Sequence, residues 1–167
     1  MGFDVVLLTI GFSESHDIIF SKEVNEHLNY SHYILEIDPE TFPEITSNIH
    51  KVIDTDNLSW NENCIAFHYV SKLAKSLNLD VVITGNGIDE LFCGYNAYRE
   101  AFIGGQTKIN EVMNSKLENE LKMMKAVNVI ASEFDVQILQ PLLSAKFIEY
   151  AKTIPITEKI HSSDDLY

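Results

Sequence analysis

The chain has 167 residues, 46% of them apolar, which is enough for one ordinary core and predicts one domain rather than two. Twelve Lys plus Arg stand against twenty-five Asp plus Glu, and the net charge of −13 repels a polyanion at long range, which excludes nucleic acid as an expected partner. No apolar run approaches the ~20 residues that span a bilayer, and the amino-terminal residues lack the order of a secretory signal, so no membrane partner and a cytoplasmic location are expected.

Taken in chain order, residues 3–12 (FDVVLLTIGF) are a continuous apolar, β-branched run that predicts a strand buried on both faces, as in a parallel sheet. Ser15 and Asp17 are placed to cap a helix in which Phe20, Val24 and Leu28 recur every four residues, and a second strand is expected over residues 32–37. Another helix is expected over residues 41–53, its start restricted by Pro39 and Pro43. Residues 62–77 place Ala66, Tyr69, Val70, Leu73, Ala74 and Leu77 at the spacing of one helical face. A strand, LDVVIT, follows at residues 79–84.

Gly85, Asn86 and Gly87 break that strand. Asp89 and Glu90 then occupy the first turn of a helix running into LFCGY. Beyond it, residues 110–134 read as helical. An apolar stripe at Phe147, Tyr150, Ala151 and Ile154 is stopped by Pro155, and the residues from Ser162 onward are expected to fray. The alternation of strands with helices points to α/β architecture. Cys64 and Cys93, the two cysteines, belong to no metal-binding pattern and are expected to be reduced, buried thiols, and the dispersed histidines predict no structural zinc.

The chemistry is concentrated in TGNGID, residues 84–89. In an open parallel sheet, ligands bind beyond the carboxyl ends of strands, where this loop falls. Its glycines would let backbone approach a phosphate, and the amides opening the helix would donate to its oxygens; Asp89 could hold the accompanying magnesium ion. An alternative stands beside this: glycines also make a tight strand-to-helix turn, and acidic residues favour a first helical turn without any ligand. The loop is neither common nucleotide motif, since Glu90 replaces the third glycine of GxGxxG and no GKS or GKT is present.

The segment TGNGIDELFCGY, residues 84–95, resembles the asparagine synthetase family, whose pattern is TG(D/E)GxDE, then LF, then GGY. TIGF at residues 9–12, HYILEID at 32–38, PLL at 141–143 and FIEYAKTIP at 147–155 extend the resemblance over most of the chain. It implies a partial domain of the adenine-nucleotide alpha-hydrolase-like (ATP pyrophosphatase) class, a parallel sheet flanked by helices, spanning residues 1–167 as a single incomplete unit without a glutaminase domain. It implies ATP and magnesium as cofactors, with the aspartate side-chain carboxylate adenylated and the adenylate converted to an amide. By position, Thr84, Gly85, Asn86 and Gly87 would line the nucleotide, Asp89 would serve the metal, and Ile10 would lie beside adenine.

The sequence also departs from that pattern. These 167 residues contain no SGGxDS loop and no lysine-bearing K-x-I-L-R segment, both of which the family places against the phosphates. Asn86 stands where the family has Asp or Glu, and the segment E-x-R-x-P-x-L-D reads Gln137, Leu139, Pro141, Leu143, Ser144. Neutral replacements of similar size keep packing while removing phosphate and metal contacts. Three readings follow. The chain is part of an amide-forming ligase completed by other residues, a binding, regulatory or dimerisation module without turnover, or a folded domain without ligand; absence of turnover by these residues alone is expected. In the family, the missing strand sits between the strand at Val5 and the strand at Val81. These two are expected either to pair directly or to be bridged by another chain, with a homodimer or a partner protein as the source.

Overall fold

The computed structural model describes residues 5–163. In chain order it comprises β1 (Val6–Gly11), α1 (His16–Leu28), β2 (Ser31–Glu36), α2 (Phe42–Ile53), α3 (Leu58–Ser76), β3 (Val81–Ile83), α4 (Ile88–Phe92), α5 (Asn96–Ile103), α6 (Gln106–Ser132), β4 (Gln137–Leu139) and α7 (Ala145–Thr153). Short 3-10 turns occupy Pro39–Thr41, Pro141–Leu143 and Ile156–Glu158. The α/β class read from the alternation is therefore present. Two compact units divide the described residues: 5–82 with 126–137, and 83–125 with 138–163.

In the first unit, β1 and β2 pair in parallel, with Val6 opposite Ser31 and Gly11 opposite Glu36. The crossover is short because Asn29 ends α1 in the left-handed region, which Asn tolerates better than most residues. The Asn25 side chain then brackets Tyr30, donating to its carbonyl at 2.9 Å and accepting from its amide at 3.0 Å. Gly11 is required where α1 crosses the strand end, since a Cβ there would lie 2.6 Å from Ser15 Oγ and 3.1 Å from Ile18 Cγ1.

Three expectations are corrected in this unit. All six residues of β1 are half-buried, not buried on both faces, because among the described residues β2 covers one edge of the strand and the other carries no partner. Ser15 stands at the N-cap of α1, but its side chain makes no capping bond; its oxygen is turned in toward Gly11. The α1 stripe of Phe20, Val24 and Leu28 is exposed, and Ile18 is the buried residue of that helix.

Helices α2 and α3 follow their sequence signals closely. Pro43 lies in the first turn of α2, where its missing amide hydrogen costs nothing. Asn57 caps α3 by accepting from Trp60 N at 3.2 Å, and a bond of 2.5 Å between Thr41 Oγ1 and Tyr69 Oη joins the start of α2 to α3. Tyr69 and Ala74 on the expected stripe are buried. His68 meets Phe134 edge to face, with centroids 4.9 Å apart.

β3 pairs with β4 as a second two-stranded sheet. Gln137 N donates to Asp80 O at 2.9 Å and Thr84 N to Leu139 O at 3.0 Å. Partner numbers rise together, which is the parallel sense. Direct pairing of the strands at Val5 and Val81 does not occur among the described residues: β1 pairs with β2 and β3 with β4, each strand keeping one edge unpaired.

The second unit is helical around two apolar clusters. Cys93, Tyr98, Ala101, Ile109, Met113 and Ile160 form one, and Leu91, Leu117 and Ala151 the other. Ile154 is extended before Pro155, as a residue preceding proline must be, and α7 ends there. Tyr150, expected on the apolar stripe of α7, is exposed; Ala151 is the buried residue of the helix. Of the carboxyl-terminal residues expected to fray, 164–167 lie outside the described residues. No helix among the described residues is long and apolar enough to cross a membrane.

Candidate functional site

The loop 84–87 leaves the end of β3 after Thr84 N has made the last ladder bond to Leu139. Thr84 then has no strand neighbour for its hydroxyl, and Oγ1 is buried without a hydrogen-bond partner. A buried hydroxyl left unpaired costs roughly 1–3 kcal/mol, so its orientation is a feature that local packing alone does not reward.

The two glycines serve different ends. At Gly87, φ is +103°, and a Cβ would meet Leu143 Cδ2 at 2.7 Å. This glycine is demanded by the turn and by packing against the 3-10 turn Pro141–Leu143. At Gly85 a Cβ would meet nothing within 4 Å, and the residue is exposed. The fold does not require a glycine there, and the space that a side chain would fill stays open. Ile88 N donates back to Gly85 O at 3.3 Å, while the amides of residues 85–87 donate in none of the turn bonds of the described residues.

α4 has five residues, shorter than the helix expected from the sequence. It is terminated by Cys93 at φ +66°, and Gly94 N returns to Asp89 O at 3.0 Å. A one-turn helix contributes little dipole, so any attraction for an anion would come from the individual amides. The left-handed backbone at position 93 supplies the physical reason for the glycine that the GGY pattern has there. Cys93 is buried, and burial pushes its thiol up to about 11, in keeping with a packing role. Cys64 behaves alike, also pushed up to about 11 by burial.

Asp89 and Glu90 diverge. Asp89 is exposed and lines a cavity of about 280 Å³ with Ile88, Phe92, Gly94, Glu158 and Lys159. Glu90 is 3% exposed. Its carboxylate accepts from Tyr95 Oη, and its backbone carbonyl accepts from Tyr98 Oη at 2.6 Å. Burial first, then these acidic neighbours, raises both phenols above their ordinary value. Tyr98 is a core residue and Tyr95 is half-buried beside it. Lys159, buried in the same region, donates to Ala151 O at 2.6 Å and so satisfies a carbonyl near the end of α7; burial lowers its pKa.

Asn86 is turned inward, and its Nδ2 donates to Glu120 Oε1 at 2.8 Å. Glu120 is a residue that sequence reasoning missed. The available signal was its place on the otherwise apolar stripe of α6, after Met113 and Leu117 and before Met124 and Val127, all buried. Among the described residues, no group of three or more His, Cys, Asp or Glu is placed to hold a metal ion. Thr84, Gly85, Asn86, Gly87 and Asp89 are thus contiguous in the second unit. Ile10, the remaining sequence candidate, is half-buried in the first unit, opposite Leu35 in the β1–β2 pair.

Comparison with known proteins agrees with the motif. The family model for asparagine synthase matches residues 4–134. A putative asparagine synthetase (glutamine-hydrolyzing) 1 of Methanocaldococcus jannaschii is 26% identical over 162 residues, 94% of this chain and 29% of that protein. Asparagine synthetase B of Escherichia coli K12 is 22% identical over 151 residues, 90% of this chain and 27% of that protein. Asparagine synthetase 1 of Arabidopsis thaliana shows 22% identity over 151 residues, 90% and 26% respectively. The chain spans less than a third of the length of these curated relatives, and by its matched residues it belongs to the asparagine synthase family.

Proposed function

We propose that the chain forms the nucleotide-binding portion of a synthetase domain of the adenine-nucleotide alpha-hydrolase-like class, single across both units, with the loop 84–87 holding ATP. The observation that carries this is the pairing of an open space at Gly85, where the fold tolerates a side chain, with the unpartnered buried hydroxyl of Thr84 beside it. The amides of residues 85–87, which donate in none of the turn bonds of the described residues, fit phosphate oxygens, with Gly85 the exposed one of the three. Asp89 is the exposed carboxylate at the end of this loop. Magnesium is commonly bound through one or two carboxylates together with substrate phosphates and water, so a single protein ligand suits it.

The reaction proposed from the family is ATP-dependent activation of the aspartate side-chain carboxylate followed by amide formation. Bound ATP would supply the adenylyl group and magnesium would neutralise the phosphates; the loop residues would bind and orient. Such chemistry depends on positioning and on charge neutralisation. Asn86, Gln137, Leu139 and Ser144 are neutral where the family pattern has charged groups, which supports binding without turnover by these residues alone. Residues outside the given sequence, on a partner chain or on another copy are proposed to complete the site, in the cytoplasm.

Calorimetric titration with ATP and magnesium, against Asp89→Ala, tests the reading. Saturable heat that the variant loses is expected. Absence of heat in both proteins would sink it and leave a folded domain without ligand.

A further inference from the structure

Glu120 occupies a position on α6 at which helical spacing places apolar residues, and it is 6% exposed. A carboxylate there is costly unless it is hydrogen-bonded. Its bond comes from the loop, Asn86 Nδ2 at 2.8 Å. The other charged or titratable groups that face it are acidic or already engaged. Asp89 and Glu90 of α4 both oppose its ionisation. Tyr95 donates its hydroxyl to Glu90, and Lys116, one turn earlier on α6, sits 4.8 Å from the Tyr95 ring centroid. A second carboxylate at position 86, where the family pattern has one, would stand within hydrogen-bond distance of Glu120 among these acids.

We propose that positions 86 and 120 form a unit that holds one carboxylate, and that Glu120, acting through Asn86, is the positioning residue for the loop 84–87. With Glu120 ionised, the amide is the only one of the two groups that can donate, so the bond fixes which way the Asn86 side chain turns. That in turn sets the backbone between Gly85 and Gly87. The acid that the family pattern carries on the loop is, in this chain, carried on the helix behind it. The consequence for ligand binding rests on the nucleotide reading above; the coupling of the two positions does not.

The experiment uses the full chain and the variants Glu120→Gln, Asn86→Asp and the double variant. The amide resonances of Gly85 and Gly87 are followed from pH 4 to pH 8, and ATP-magnesium affinity is measured in parallel. In the native protein both amides should titrate in step with the Glu120 carboxyl. Glu120→Gln, which can still accept from Asn86, should abolish that step, whereas Asn86→Asp should weaken binding roughly tenfold. The double variant, with one carboxylate and one amide exchanged, should return binding to within about threefold of native. Glycine amides that titrate unchanged in Glu120→Gln would overturn the proposal, as would a double variant no better than Asn86→Asp. Should no protein bind ATP, the nucleotide reading fails, and the amide titration alone decides the coupling of 86 with 120.

Discussion

Gly94 lies against Asp89 so closely that a Cβ at position 94 would stand 2.1 Å from Asp89 Oδ1 and 3.0 Å from Asp89 Cβ. The second glycine of the family's GGY pattern therefore has a physical purpose in this chain, because it leaves room for the carboxylate proposed to serve magnesium. Gly94→Ala should swing the exposed Asp89 side chain away. Stability should fall by about 1–3 kcal/mol, since Asp89 Cγ at 2.8 Å and Cβ at 3.0 Å must also give way and only the oxygens can rotate clear, while magnesium-dependent ATP affinity drops roughly tenfold. Thermal unfolding and calorimetry on the same variant separate the two effects.

The two glycines of the loop give a sharper contrast. Gly87→Ala combines a left-handed backbone with a contact of 2.7 Å to Leu143, and should cost about 2–4 kcal/mol in denaturant unfolding. Gly85→Ala meets nothing, so stability should stay within about 1 kcal/mol of native. Its ATP affinity should nevertheless fall, because the methyl group enters the space proposed for phosphate. Equal stability losses for the two variants would contradict the assignment of roles.

Burial of Glu120 raises its pKa above the ordinary carboxylate range, with the Asn86 bond opposing the shift and Glu90 and Asp89 adding to it. A carboxyl raised in the folded state contributes stability that is full below its unfolded pKa and is lost as pH rises through its folded pKa. Glu120→Gln removes this dependence while keeping an acceptor for Asn86. The melting temperature of the variant relative to native should therefore rise from pH 4 toward neutrality. Parallel melting curves across that range would contradict the burial argument.

Both thiols are buried and held near 11, so thiolate is scarce at neutral pH. Cys64 and Cys93 should both resist iodoacetamide in the native protein at pH 7.5 and both react in denaturant, as read by mass spectrometry. Rapid native labelling of Cys93 would contradict its place in the apolar cluster with Tyr98 and Ile109.

Much of the fold was legible because helices announce their faces. The spacing from Ala66 to Leu77 located α3, and the apolar run of residues 3–12 located β1. What that run could not show was how many neighbours the strand would find, so full burial was expected where half-burial occurs. The stripe of α1 misled for a related reason: Phe20, Val24 and Leu28 have the right period, but spacing says only that residues share a face, not that another element covers it.

At the site, TGNGID was conspicuous as a loop, yet its letters could not distinguish Gly85 from Gly87. Open space at one and a tight contact with Leu143 at the other arise from residues nearly sixty positions away. Glu120 lay hidden among the many charged residues of α6 until its neighbours on the stripe proved buried. Ser144, where the family pattern has aspartate, accepts from Phe147 N at 3.4 Å as the N-cap of α7; an aspartate could cap equally well, so that substitution is readable once the helix start is known.

The central claim, that the loop 84–87 holds the phosphates of ATP, is tested most directly by titrating ATP-magnesium into isotopically labelled protein and following backbone amide resonances. The account predicts saturable shifts, largest at Gly85, Asn86 and Gly87, that are lost in Gly85→Ala. Saturable shifts confined to residues away from this loop, or none at any ATP concentration, would contradict it.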